Sequence, residues 1–178
     1  MPALALSRLD ELRPGAAAAR EAAARAGIDT VTRVSGGHAV VVGPGSLCIG
    51  FAEPSITFEG TQQRYERLNA ALIDAFASVG VVAEQGELEG EWCPGTWSIR
   101  SGGVKLAGLA QRVIKGAAWA EAVVQLGPED ASRALLTEVY EALQLPLDQT
   151  TVGSVSELAG RTVGFDELAE PLCTALAP

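Results

Sequence analysis

The sequence predicts a mixed α+β sandwich, a mostly antiparallel sheet packed by helices. Strand-like and helix-like runs alternate along the whole chain. The strand-like runs are joined by turns as tight as Gly43-Pro44-Gly45, Ser101-Gly102-Gly103 and Lys115-Gly116. Between them, Thr61–Val79 carries Leu68, Leu72, Phe76 and Val79 at helical spacing, which gives one buried face. A doubly wound parallel sheet needs a long crossover between its strands, and these turns are too short to be one.

Taken in order, Pro2–Ser7 reads as a short first strand. Leu9–Gly27 reads as one helix, Ala-rich, with Pro14 in a first turn that tolerates it and Gly27 as its stop. The β-branched run Thr30–Val34 is strand-like and leads into Ser35-Gly36-Gly37. Two further strands follow, His38–Val42 and Ser46–Phe51. The helix Thr61–Val79 stops at Gly80, and Val81–Ala83 reads as a short strand. The acidic, Gly-rich stretch Glu84–Gly95 reads as an exposed loop. Thr96–Arg100, Val104–Ile114 and Ala117–Leu126 are three successive strands. Pro128 opens a helix to about Gln144, with Glu129 and Asp130 suiting the positive end of its dipole. After Leu145-Pro146-Leu147, Ser154–Ala159 and Phe165–Leu176 are two short helices. The expected organisation is a catalytic core over 1–127 with a helical segment over 128–178 packed on it or following it.

Composition narrows the function. The chain has 178 residues, 48% of them hydrophobic, enough for a real core and against wholesale disorder. No apolar run approaches the twenty residues of a membrane span, and Met1–Leu9 lacks the basic start and apolar stretch of a secretory signal. A formal charge of −9 argues against nucleic acid as partner. Cys48, Cys93 and Cys173 cannot all pair with one another. They lack metal-ligand spacing, and His38 is the only histidine, so no metal site is expected and a reducing cytoplasm fits best.

Three segments carry the candidate chemistry. In Trp92-Cys93-Pro94-Gly95-Thr96-Trp97, a cysteine sits in a Gly- and Pro-containing loop just before a strand, although an unpaired cysteine prefers the core. There it is either a packed structural thiol or one that substrate can reach. Pro94 has no N–H, so Gly95 and Thr96 are the expected donors toward negative charge on its sulfur. Cys48 and Cys173 read as core residues. In Gly103-Val104-Lys105-Leu106-Ala107-Gly108-Leu109-Ala110-Gln111-Arg112, Lys105 is either an exposed hairpin lysine or one facing a substrate. Ala107, Gly108 and Ala110 would let a ligand or another backbone come close. In Arg33-Val34-Ser35-Gly36-Gly37-His38, a Gly pair allows close wrapping round a ligand and Arg33 offers a planar donor fork. His38 is open to both a structural and a catalytic reading.

Together, and in this order, the segments resemble the biotin/lipoate protein ligase and octanoyltransferase superfamily. Arg33–Gly37 matches its Arg-x-Ser/Thr-Gly-Gly segment, and Lys105-Leu-Ala-Gly108-Leu-Ala-Gln111-Arg112 matches its Lys-x-x-Gly-x-Ala/Ser-Gln-Arg segment. Cys93-Pro94-Gly95 ahead of the Lys segment most resembles the cysteine-dependent octanoyl amidotransferase branch. The resemblance implies the class II synthetase-like catalytic domain fold, N-terminally shortened, since Leu4–Arg8 looks like an internal strand of the family. It implies an acyltransferase of lipoate metabolism in which Cys93 carries an octanoyl or lipoyl group and Lys105 stands beside the acyl carbonyl. Arg33, Ser35, Gly36, Gly37, His38, Gly108, Ala110 and Gln111 would then line the substrate site.

The implied donor is an acyl carrier protein or the glycine-cleavage H protein, the acceptor is a lysine of a lipoyl domain, and thioester transfer needs no cofactor. Two alternatives stand beside this. One is an ATP-dependent lipoate ligase using ATP and Mg; the other is a non-catalytic domain that binds acylated or lipoylated carriers, its open pocket showing as an exposed apolar patch or covered in a homodimer. Docking an acidic carrier on a chain of −9 would need a local basic face, for which Arg8, Arg13, Arg100 and Arg112 are the candidates. The chain departs from the family pattern where Val42 and Glu121-Ala122 replace a histidine and a His-Gly pair, and where Val113 replaces a basic residue.

Overall fold

The computed structural model describes residues 2–55, 57–127 and 130–177. It contains two sheets. The smaller has β1 (Ala3–Leu6) at its centre, parallel to β2 (Asp29–Thr32) and antiparallel to β3 (Val40–Val42). The larger is antiparallel throughout. Its strands run in the order β4 (Ser46–Ser55), β8 (Gly116–Gln125), β7 (Val104–Ile114), β6 (Ile99–Ser101) and β5 (Glu84–Gln85). The α+β class and the antiparallel bias follow the expectation. The parallel β1–β2 pair is made possible by the helical crossover between them.

The expected helix over 9–27 is two helices, α1 (Arg8–Glu11) and α2 (Ala16–Arg25). Ser7 caps α1 in a capping box: its hydroxyl accepts the Asp10 N–H at 3.1 Å, and Asp10 Oδ2 accepts the Ser7 N–H at 3.0 Å. Pro14 lacks the N–H that would continue that turn, so the chain bends there and restarts at Ala16. Ala19, Ala22 and Ala23 then form a small-residue stripe buried against the smaller sheet and α4 (Asp130–Ala142). The described part of α4 begins at Asp130, and the expected opening at Pro128 and Glu129 lies outside the described residues.

The helix α3 (Thr61–Ser78) matches its periodicity. Leu68, Leu72 and Phe76 pack with Leu168 and Leu172 of α6 (Phe165–Ala175) onto Leu47, Ile99, Leu106 and Val124 of the larger sheet. Each such side chain contributes about 1.5–3 kcal/mol on burial. The second core lies over the smaller sheet, where Leu4, Leu6 and Val40 meet Leu136, Val139 and Tyr140 of α4. The segment after residue 127 therefore serves both cores, α4 on one and α5 (Val155–Ala159) with α6 on the other. Val81–Ala83 is not a strand. The short strand begins three residues later, at Glu84–Gln85, inside the stretch expected to be a loop, where it pairs with β6. Among the described residues no helix is long and apolar enough to cross a membrane.

One irregularity positions the site. Along β6–β7, Ile99 pairs with Ala107 but Arg100 pairs with Lys105, so Leu106 is an extra residue in β7. This bulge puts Leu106 and Ala107 both into the α3–α6 core and turns Lys105 to the opposite face, toward Trp92.

Candidate active site

The site lies at the seam between the sheets, in the loop from Glu91 to Ser98 that leads into β6. Cys93 is held there with φ +43°, a left-handed conformation that costs a non-glycine residue about 1–2 kcal/mol. Both of its peptide groups are clamped. Its N–H donates to the Tyr140 hydroxyl at 2.5 Å, and its carbonyl accepts from Lys105 Nζ at 2.6 Å. Tyr140 is buried and its hydroxyl donates to the Ala39 carbonyl at 2.9 Å, which ties α4 to the strand beside the site. Burial pushes the Tyr140 hydroxyl well above its ordinary pKa, so it stays protonated and fixed as a donor to Ala39.

This geometry aims the sulfur at the Gly pair. Cys93 Sγ accepts the His38 backbone N–H at 3.2 Å, and Arg33 Nη1 lies 3.8 Å away. Gly37 has φ +98°, and a Cβ there would stand 2.5 Å from Sγ, so only glycine leaves the sulfur its place. The expected donors are not the ones used. The Gly95 N–H is turned inward to Glu91 Oε1 at 3.3 Å. Positive charge reaches the sulfur from the other side of the seam, from Arg33 and the His38 amide.

Lys105 is neither of the two kinds of lysine the sequence allowed. It is fully buried, and all three of its protons are engaged: Glu91 Oε1 at 3.0 Å, the Trp92 carbonyl at 2.8 Å and the Cys93 carbonyl at 2.6 Å. Its ammonium also stands 4.4 Å from the centre of the Trp92 ring. Burial lowers its pKa, and the nearby Cys93 sulfur and Glu91 carboxylate act against that. In this state no proton of Lys105 is left to reach an acyl carbonyl.

Glu91 is the counter-charge, and sequence reasoning missed it because its stretch reads as an exposed acidic loop. It is fully buried and also accepts from the Ser98 hydroxyl, from the Leu88 N–H at 3.0 Å and from Gly95. Tyr140 was missed as well. The available signal for Glu91 was its place directly before Trp92; for Tyr140 there was none.

Cys93, Gly36, Gly37, Ala110 and Gln111 share the wall of an open groove of about 270 Å³, whose far side is the stacked pair Tyr65–Trp97, 5.1 Å between ring centres. Gln111 is braced by the start of α3, donating to the Thr61 carbonyl at 2.8 Å and accepting from Arg64 at 3.0 Å. Gly108 does not face this groove. The Trp92 ring covers it, 3.0 Å from where a Cβ would sit.

Arg33 and Ser35 form a separate network. The guanidinium donates to Ser35 Oγ at 3.1 and 3.2 Å and to the His38 carbonyl at 3.2 Å, while Ser35 hydrogen-bonds Glu121. Arg33 lies 3.7 Å from Glu121, whose other oxygen accepts from the Trp119 ring at 2.6 Å. The His38 ring takes no part at the sulfur and meets the buried Asp10 at 2.8 Å.

A second, apolar groove of about 270 Å³ runs between the sheets past Arg33, lined by Ala5, Val40, Val42, Cys48 and Val123. Cys48 and Cys173, expected in the core, are both exposed. Strand alternation turns Leu47 inward and Cys48 outward, and Cys173 follows the buried Leu172 onto the open side of α6.

The chain is similar to several known proteins. The octanoyl-[GcvH]:protein N-octanoyltransferase of Geobacillus kaustophilus is 33% identical over 162 residues, covering 84% of this chain and 57% of that protein. The lipoyl-[GcvH]:protein N-lipoyltransferase of Listeria monocytogenes is 30% identical over 154 residues, covering 79% and 54%. The chain thus spans somewhat more than half the length of these relatives.

Among solved structures, lipoate-protein ligase A bound with ATP superposes with a TM-score of 0.75 at 20% identity, over 99% of this chain and 68% of that one. The bipartite lipoate protein ligase of Thermoplasma acidophilum, solved in work on its E2 lipoyl domain, gives 0.69 at 18%, over 99% and 66%. At those identities the likeness shows the fold. The sequence model of the lipoyl protein ligase A/B catalytic domain matches residues 14–177, nearly the whole chain, and the protein belongs to that family.

Proposed function

We propose that the protein is an acyltransferase of protein lipoylation that carries an octanoyl or lipoyl group as a thioester on Cys93. The observation that carries this reading is the placement of Sγ: it faces an open groove, with the His38 N–H at 3.2 Å and the Arg33 guanidinium at 3.8 Å. A cation and an amide dipole at that distance favour negative charge on the sulfur and on the oxygen of an acyl group attached to it. The apolar groove between the sheets is the place for the acyl chain, with Arg33 at the junction of chain and sulfur.

In the first step the Cys93 thiolate attacks the acyl carbon of the donor. The bond from that carbon to the donor atom breaks, and the donor leaves as a thiolate from a carrier arm or, with a proton, as a lysine amine from an H protein. In the second step the amine of a lipoyl-domain lysine attacks the Cys93 thioester. An amide forms, the amine proton is lost and the thiolate returns. Exchange between thioesters is nearly isoenergetic, and so is exchange between lysine amides, so neither route consumes ATP. The names of the relatives support an H protein as donor. Arg33, Ser35, Gly36, Gly37, His38, Ala110 and Gln111 border the reaction, while Lys105 and Gly108 support the loop that presents the sulfur.

The experiment is intact mass after incubation with octanoyl-acyl carrier protein or octanoyl-H protein, for wild type and Cys93→Ala, without nucleotide. One octanoyl group on wild type alone is expected. A folded wild-type protein that stays unmodified, yet lipoylates a lipoyl domain when given ATP, Mg and lipoate, would replace this reading with the ligase.

A further inference from the structure

The exposed cations are not spread evenly. Arg20, Arg25, Arg100 and Arg161 are each paired with a carboxylate, as the low pI of the chain makes easy. Arg13, the fourth of the cations expected to form a basic face, is turned to the Leu143 carbonyl. Arg67, which likewise has no carboxylate partner among the described residues, is turned to the Ala177 carbonyl and the Phe51 ring. Among the described residues Arg8, Arg112 and Lys115 also have no carboxylate within ion-pair distance; Arg112 donates to the Val34 carbonyl, and these three lie along one trough and its hairpin.

Arg8 and Arg112 line an apolar trough of about 750 Å³ between the end of β2 and the β7–β8 hairpin. Lys115 sits at the hairpin turn, between the lining residues Ile114 and Ala117. The floor and rim carry Val34, Ile114 and Trp119, which are 66%, 54% and 38% exposed. Large apolar side chains left that open, and rimmed by unpaired charge, mark an interaction surface.

The trough is continuous with the Cys93 groove. A shallow depression shares Arg8, Val34 and Arg112 with the trough, and shares Gly36 and Gln111 with the groove of the sulfur. The carboxylates beside this path are already engaged: Glu121 by Arg33, Ser35 and Trp119, and Glu11 by Thr32 and Arg20.

Resting on the function proposed above, we propose that this trough is the docking surface for the protein partner, and that the partner is an acidic folded domain. Its carboxylates meet Arg8, Arg112 and Lys115, an apolar contact fills the space over Val34 and Trp119, and its lysine is delivered along Gly36 to Cys93. Charge complementarity selects the partner: a protein of net −9 repels an acidic domain everywhere except where its cations stand unpaired.

The test uses the full chain with Cys93→Ala and an unacylated H protein as probe, titrated by calorimetry at low and high salt. Arg8→Glu combined with Lys115→Glu alters a helix first turn and a hairpin tip, so the fold is kept; Arg112→Gln is a second, milder variant. The double variant is expected to lose roughly tenfold or more in affinity, and the wild-type affinity to fall with salt.

In the Cys93-containing protein, acylation by octanoyl-N-acetylcysteamine, a neutral thioester that needs no docking, is expected to be unchanged in both variants. Four results would overturn the proposal. They are an H-protein affinity that is absent or indifferent to the charge reversals, an equal loss of acylation by the small thioester, binding of anionic vesicles but not H protein through these residues, and a wild-type dimer that the double variant dissociates. Failure of the small thioester to acylate wild-type Cys93 would remove the proposed chemistry but leave the binding result to be judged separately.

Discussion

Replacing Lys105 with Met asks whether this lysine is primarily the support of the Cys93 loop. Met has a similar reach and fills the same space, but it withdraws the charge that Glu91, the Trp92 carbonyl and the Cys93 carbonyl share at 3.0, 2.8 and 2.6 Å. Lys105 and Glu91 are both fully buried. Removing one partner of such a pair leaves the other as an uncompensated charge, at about 3–5 kcal/mol. Glu91 keeps the Ser98 hydroxyl and the Leu88 and Gly95 amides, which places the loss toward the lower end. Net stability of a domain is about 5–15 kcal/mol, and for a chain of this size 1 kcal/mol moves Tm by about 2–4 °C. The expected fall is therefore about 6–12 °C, read by urea and thermal unfolding. Adding Glu91→Gln removes the stranded charge and is expected to recover part of the loss, so the two changes should be strongly non-additive. A drop below about 1 kcal/mol, or a double variant as unstable as the sum of the singles, would refute the view of the pair as a coupled buried unit.

Tyr140→Phe strands the Cys93 N–H and the Ala39 carbonyl, and is expected to cost about 1–3 kcal/mol in urea unfolding and to slow alkylation of Cys93 by more than the stability loss explains. A variant with wild-type alkylation kinetics would show that the hydroxyl does not position the sulfur. Gly37→Ala combines a left-handed backbone with a Cβ at 2.5 Å from Sγ; a stability loss of about 1–3 kcal/mol and near-complete loss of acyl transfer are expected, measured by denaturation and by intact mass. The Glu167 carboxyl is held at about 2, below its ordinary 4.5, chiefly by Arg161 and then by the Gly164 N–H. Because its folded pKa is depressed, its contribution is complete above 4.5 and fades as pH falls toward 2. Unfolding midpoints across that window should fall more in wild type than in Glu167→Gln, and parallel curves would remove this linkage.

What the sequence discloses here depends on how local the cause is. The helix starting at Thr61 is legible because a 3.6-residue period runs through it, and the strand Val104–Ile114 because Gly-containing turns bound it at both ends. The break at Pro14 follows from a missing N–H, but the Ala-rich run on its far side conceals it. The three motifs that meet at the seam are visible as Cys, Lys and Gly-pair segments. Their facing directions are not, because one extra residue, Leu106, reverses the side on which Lys105 emerges. Glu91 reads as one more acid in an acidic loop, and only the arrival of Lys105 from β7 explains why it can be buried. Tyr140 lies 47 positions from the amide it holds, a separation no window of pattern can span.

The seam divides the work between two sets of residues. Lys105 and Tyr140 act on the peptide groups of Cys93, one on its carbonyl and one on its N–H, and so fix a backbone conformation that a cysteine would not hold alone. Arg33 and the His38 amide act on the sulfur itself. The cation nearest the sulfur is Arg33, while the protons of Lys105 are taken by Glu91 and the Trp92 and Cys93 carbonyls. The Arg33 guanidinium is in turn fixed by Ser35 and Glu121, the latter on a strand of the other sheet. A shift of the small sheet against the large one would change the Arg33–sulfur distance without touching the Lys105 clamp. Reactivity at Cys93 is therefore tied to how the two sheets meet, whereas the stability of its loop is tied to the Lys105–Glu91 pair within the larger sheet and its entering loop.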